Sequence, residues 1–380
     1  MKPKYEIAII ETSLKHYRKP FFELLRKKLS KANIELILIH GCPSNSEVKK
    51  KDDVIITWAH RIKNKCIRIG SRVFCWQPCL KLLRRADLII VDQASKLLLN
   101  YVLFLSQICG IKKLCFWGHG KNFKDHNKSR IGELVKRFMS RHVYWWFAYN
   151  DVSAGIIRSL GYPKKKITSV QNSIDTCNLI KMHQKITKFQ LKEVKRKIGI
   201  KGDNVCIYAG SMYYEKRLDF LINACVHIRN AVPDFEMIFI GAGPDDIKVR
   251  NAAVKKAWIR YLGPKFDEEK VPYFMLAKLF LMPGLVGLAV LDAIALETPL
   301  ITTNIPYHSP EINYLLDGIN GIIVQEPDDP LLFAEKVSHL LKNNEAREKL
   351  IEGCRITRER YTIEKMVEKF SGGILRALNL

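Results

Sequence analysis

With 380 residues, 47% of them hydrophobic, and a formal charge of +25, the chain is long enough to bury two cores and is strongly basic. That length excludes a single small domain, and no uncharged apolar run reaches the ~18 residues a spanning helix needs. Ten cysteines are scattered without zinc-site spacing, Cys75 and Cys79 being four apart with no matching pair, which predicts reduced core thiols.

The charge is uneven. Residues 1–172 carry 34 lysines and arginines against 12 acids, and the remaining 208 carry 29 against 26. A basic half joined to a nearly neutral half implies an anionic partner: lipid headgroups, a polyprenyl-phosphate carrier or nucleic acid. No helix-turn-helix, zinc-finger or RNA-recognition pattern is present, which argues against nucleic acid.

In chain order, Tyr5 to Glu11 reads as a first strand rather than a signal peptide. Leu14 to Leu29, with Pro20 at its start and apolar residues at 21, 22, 24, 25 and 29, reads as an amphipathic helix with a cationic face. It can be a solvated helix packed on a sheet or one resting on an anionic bilayer. Strands follow at Ile34 to His40 and Asp87 to Asp92, and Lys96 to Cys109 reads as a very apolar helix buried between sheet and neighbours. A strand from Lys113 then ends in Gly118-His119-Gly120, which puts His119 at a strand's carboxyl end with small neighbours, where function would place an imidazole. Arg130, Lys136, Arg137 and Arg141 form a basic helix, Val143 to Tyr149 is an aromatic strand, and the first domain closes near 175.

A second domain opens with the strand Asn204 to Ala209, followed by Gly210, Ser211, a loop with Lys216 and Arg217, and an amphipathic helix. Further strands are read at Phe235 to Ile240, Ile259 to Leu262 and Lys278 to Met282. The last ends at Pro283-Gly284, with Gly287 beyond it, an apolar helix from Leu288 and a strand Pro299 to Thr303. Strand, glycine loop, helix, strand is a βαβ unit, and its first loop is a natural anion site because glycines admit close backbone approach. Helices are read at 329–341, 345–360 and 363–378.

Gly-x-x-Gly-Leu-x-x-Leu-Asp-Ala from Gly284, then Thr298-Pro-Leu-Ile, Pro310-Glu-Ile and Asp317-Gly-x-Asn-Gly, resembles the donor-binding half of retaining GT-B glycosyltransferases, the glycosyl transferases group 1 family (family GT4). Tyr17-Arg-x-Pro-Phe-Phe and Asn172-Ser-Ile-Asp resemble its first domain. The resemblance implies an α/β chain of two Rossmann-like domains with parallel sheets facing a central cleft. These are an acceptor-binding domain (1–175), a nucleotide-sugar domain (176–360) and a last helix (361–380) returning to the first. It implies sugar transfer with retention from a nucleotide-sugar donor, with no cofactor and no metal.

The implied donor set is Gly210, Ser211, Lys216, Arg217, the loop Gly284, Leu285, Val286, Gly287 and Leu288, and Glu311 near that loop. Lys216 and Arg217 would hold the leaving diphosphate, Ser211 stands where the family often has arginine, Asp292 would bond the ribose, and His119 would orient the donor sugar. The family's first acid falls on Gly284, which removes a carboxylate used to hold that sugar. The implied acceptor is a glycan or polyprenyl-linked glycan, and the expected location is cytoplasmic, peripheral on the inner face of the membrane. Two alternatives stand beside this: a non-catalytic nucleotide-sugar or glycan-binding partner subunit, and a GT-B nucleotide-sugar epimerase.

Overall fold

The computed structural model describes residues 3–43, 53–70, 72–120 and 130–380. Its described residues divide into two compact units, one formed by those up to Asn172 together with Ile363–Leu380, the other by Ser173–Thr362.

The first unit is built on β1 (Tyr5–Glu11), β2 (Ile34–Gly41), β3 (His60–Ile62), β6 (Leu88–Asp92), β7 (Leu114–Gly118), β8 (Trp145–Ala148) and β9 (Ile167–Ser169). They form one parallel sheet in the order β3-β2-β1-β6-β7-β8-β9. Parallel strands covered on both faces need apolar side chains on both, and β1 shows it. Ile7 and Ile9 enter one core with Phe21, Phe22 and Trp117, while Ala8 and Ile10 enter the other with Phe116 and Trp146.

Helix α1 (Lys19–Ser30) spends its whole apolar stripe, Phe21, Phe22, Leu25 and Leu29, in the first of these cores. The C-terminal helix Ile363–Leu378 closes over it, with Phe370 stacked on Phe147 at 4.4 Å and edge-on to Phe21 at 5.3 Å. Only charged and polar residues of α1 stay exposed, so it has no apolar face left to lay on a bilayer.

Helix α2 (Leu98–Ile108) corrects the sequence reading in the other direction. Leu99, Leu103 and Phe104 are buried, but Leu105 is 63% and Ile108 56% exposed. A second correction concerns the thiols. Strands β4 (Lys65–Ile69) and β5 (Arg72–Trp76) form a separate antiparallel hairpin that the sequence reading missed. It sets Cys66 opposite Cys75 with Cα atoms 4.1 Å apart, and the two are disulfide-bonded. Among the described residues no other disulfide forms.

The second unit carries β10 (Asn204–Ala209), β11 (Phe235–Ile240), β12 (Ile259–Tyr261), β13 (Leu279–Leu281), β14 (Leu300–Thr303) and β15 (Gly321–Val324). Its parallel sheet runs β12-β11-β10-β13-β14-β15, so the chain winds one way from β10 and the other way from β13. The carboxyl ends of those two neighbours are the switch point of a doubly wound sheet, where ligands bind in open α/β folds. In the first sheet the switch point lies between β1 and β6.

Candidate functional site

At the second unit's switch point the segment after β10 meets the segment after β13. Residues Tyr214–Lys216 form a short 3-10 turn, and Arg217 adopts a left-handed φ of 56° before the next helix. The chain leaving β13 runs directly over this turn: a Cβ on Gly284 would lie 2.4 Å from the Glu215 carbonyl oxygen and 2.5 Å from Lys216 Cα. Only a residue without a side chain allows that approach. Glycine thus stands here for a packing reason, and the conformation leaves no room for the acid that the resemblance would place at 284.

The loop is tied on both sides. Leu285 N–H donates to the Glu215 carbonyl at 2.8 Å, and Lys216 Nζ donates to the Leu285 carbonyl, with Met282 Sδ 3.5 Å away. From the other side Val286 N–H donates to His308 Nδ1 at 3.0 Å, Ser309 N–H donates to the Val286 carbonyl at 3.0 Å, and Thr303 Oγ1 donates to the Pro283 carbonyl at 2.6 Å. His308 Nε2 donates to the Thr303 carbonyl at 2.7 Å, so this ring is neutral with its proton on Nε2. Burial holds its pKa below the ordinary 6.5 and the nearby Lys216 charge lowers it further, against the opposing pull of the Thr303 carbonyl.

These bonds correct the expectation of bare amides across 284–288. The amides of Leu285 and Val286 are taken, and Pro283 to Val286 are buried. The amides of Gly287, Leu288 and Ala289 form no hydrogen bond with the described residues, and these three residues are part-exposed. The open stretch is therefore displaced toward α3 (Ala289–Ala295).

The remaining candidates divide. Gly210 and Ser211 leave β10 beside this loop, with Met282 Cε 3.3 Å from where a Gly210 Cβ would stand. Lys216 is only 6% exposed and joins the two segments. Arg217 lies elsewhere than expected: its guanidinium bonds the Pro327 carbonyl and Asp328 Oδ1, both at 2.6 Å, and covers the Phe220 ring. It braces the chain beyond β15 and also lies 3.4 Å from Thr303 Oγ1, whose hydroxyl bonds the loop at Pro283. Asp292 is 8% exposed and paired with Lys270 at 2.7 Å; burial raises its pKa although Lys270 pulls it down. Glu311 is 3% exposed in the turn Pro310–Tyr314, directly after the Ser309 that bonds the loop.

In the first unit His119 follows β7, part-exposed, with Nδ1 3.4 Å from Ser153 Oγ and its ring edge-on to Tyr149 at 4.2 Å. The sequence reading missed a buried polar group at the first switch point. Arg18 is 5% exposed, bonds Asn172 Oδ1 at 2.8 Å and lies 4.5 Å over the Trp117 ring. Glu11 and Asp92 end the adjacent strands β1 and β6, and burial pushes Glu11 well above the usual carboxylate range and Asp92 to about 6. The Tyr-Arg-x-Pro pattern marked Arg18, but nothing local showed which acids it would meet. Among the described residues no group of three or more His, Cys, Asp or Glu could hold a metal ion, and no helix is long and apolar enough to cross a membrane.

Comparison with known proteins agrees with this layout. Residues 203–343 match the family model "Glycosyl transferases group 1". The alpha-monoglucosyldiacylglycerol synthase of Acholeplasma laidlawii is 26% identical over 185 residues, covering 47% of this chain and 45% of that protein. The chain spans about half the length of the curated relatives it matches. Among solved structures, a glycosyltransferase from Rickettsia africae superposes with a TM-score of 0.71 at 14% identity, covering 99% of both chains. Anabaena HepE in complex with UDP-glucose superposes with a TM-score of 0.70 at 12% identity, covering 97% of this chain and 99% of that one. The chain thus has the GT-B fold, and its second unit is similar over residues 203–343 to the glycosyl transferases group 1 family.

Proposed function

We propose that this protein transfers a glycosyl group from a nucleotide-diphosphate sugar to a lipid-linked or growing glycan acceptor, with retention at the anomeric carbon and without a metal. The observation that carries the reading is the switch point of the second sheet. Both segments that form it, 210–217 and 282–289, fall within the group 1 match. The nucleotide sugar bound by HepE supports the donor class. Lys216, fixed in the wall of the loop, supplies the positive field for the departing diphosphate, and the open amides at 287–289 add donors beside it. The Asp292 carboxylate accepts from the ribose once Lys270 yields one of its positions. His119, as the resemblance implies, orients the donor sugar. The basic first unit draws the enzyme to the inner face of the membrane, where such acceptors are presented.

Incubating the purified protein with radiolabelled nucleotide sugars and membrane extract, with and without a chelator, tests this. Transfer of label to lipid or glycan in both conditions is the expected result, with the new linkage keeping the donor's anomeric configuration. Gly284 favours a second reading, a subunit that binds donor or glycan without turnover, because no carboxylate fits at that position. Saturable binding with no transfer to any acceptor would establish it, and interconversion of free donor would indicate an epimerase.

A further inference from the structure

The first unit carries an apolar surface that no described residue covers. Helix α2 has no charged residue, yet only half of it faces the core. Leu98, Val102, Leu105 and Ile108 follow one another at helical spacing on its outer side and are 38%, 40%, 63% and 56% exposed. Beside it runs the helix Arg130–His142, which exposes Leu134, Val135 and Phe138 at 66%, 40% and 51%. Phe138 packs edge-on against Phe104 of α2 at 5.8 Å, so the two helices adjoin. Between them lies an apolar groove of about 410 Å³ bordered by Tyr101, Leu105, Leu134 and Phe138. Soluble surfaces rarely leave so continuous an apolar stretch uncovered.

Charge narrows the choice of what covers it. Arg137 stands exposed on the same helix as Leu134 and Phe138, and residues 1–172 of the chain hold 34 lysines and arginines against 12 acids. Apolar side chains on so basic a stretch of chain fit the interface of an anionic leaflet, with acyl chains against the leucines and headgroups against the bases. The amphipathic helix α1 cannot serve, since its apolar residues are all in the core. We propose that the face formed by α2 and the helix Arg130–His142 docks the protein on an anionic phospholipid leaflet, the groove between them receiving acyl chain. The proposal rests on the membrane-presented acceptor argued above and names the surface that meets that membrane.

Co-sedimentation of the full chain with phosphatidylcholine vesicles, with and without an equal part of phosphatidylglycerol, measures the docking with no donor present. The wild type is expected to partition onto the anionic vesicles and to release them at high salt. Leu105→Gln with Leu134→Gln should weaken that partition about tenfold, because two apolar side chains leave the bilayer. A second pair, Val102→Gln with Ile108→Gln, should do the same if the whole stripe is engaged. Arg137→Gln should lower it only on anionic vesicles. All these positions are on the outer surface, so the melting temperature reports whether each variant is folded. Wild-type partition unchanged in both apolar pairs would overturn the proposal. So would a wild-type dimer that those pairs convert to monomer without altering vesicle binding, since a second copy would then be the occupant. Partition that holds while the transfer assay fails would instead count against the enzymatic reading alone.

Discussion

Gly284 lies so close to the turn at Glu215 that a Cβ would sit 2.4 Å from the Glu215 carbonyl oxygen. The two are neighbours only because β10 and β13 are adjacent in the sheet, and the bond from Leu285 N–H to that same carbonyl locks them together. The missing carboxylate at 284 is therefore coupled to the way Lys216 is held.

Replacing Gly284 with alanine should displace the turn and destabilise the protein by about 1–3 kcal/mol, the usual penalty of forced overpacking. Gly284→Glu should be worse and should not restore a sugar-binding acid. Chemical denaturation of both variants checks this, and a Gly284→Glu protein as stable as wild type would contradict it.

Lys216 is buried and fills the gap between the two segments by donating to the Leu285 carbonyl. Lys216→Met keeps most of the volume and removes the charge. Loss of transition-state electrostatics should lower kcat by about 10²–10³-fold. Titration of the variant with a nucleoside diphosphate should show weakened binding as well, whereas unaffected binding and turnover would make the lysine merely structural.

His308 gives a pH dependence with a defined sign. Its folded pKa lies below 6.5, so in the window just under that value the unfolded chain binds more protons than the folded one. Stability from this group is full above pH 6.5 and falls as the pH drops toward the folded pKa. Protonation also removes the acceptor that Val286 N–H needs. Melting curves should therefore show a loss on acidification that is blunted in His308→Gln.

The Lys270–Asp292 pair, at 2.7 Å with both side chains largely buried, should reveal itself through asymmetry. Lys270→Met leaves an uncompensated buried carboxylate and should cost about 3–5 kcal/mol, while adding Asp292→Leu should recover much of it. If Asp292 also binds ribose, the double variant regains stability without regaining activity, which equilibrium unfolding and a transfer assay together would separate.

Reduction bears on the hairpin β4–β5, where Cys66 and Cys75 are joined across the strands. Opening a loop this short should lower stability by about 2–3 kcal/mol at most, by the chain-entropy argument. A dithiol reductant should lower the melting temperature of wild type and leave Cys66→Ser with Cys75→Ser unmoved.

The amino-acid order alone determined where most strands of the two parallel sheets and the glycine turns lie. Runs such as Ile7 to Ile10 and Leu279 to Leu281, and the Gly284 to Asp292 pattern that carries the family resemblance, are local, and local dihedral preference and apolar spacing are readable from neighbours. Partnership across the sheet was not readable. Lys216 finds its carbonyl 69 residues away and Arg217 its carboxylate 111 residues away, distances set by strand order rather than by anything near them in the chain. The same holds for Cys66 and Cys75, which read as reduced thiols and which a hairpin places opposite one another. It holds too for α2, whose apolar residues all read as core although only one side of the helix has anything to pack against. Periodicity states which residues prefer to leave water; only the assembled layers decide which of them find cover, and which backbone groups are left open for a ligand.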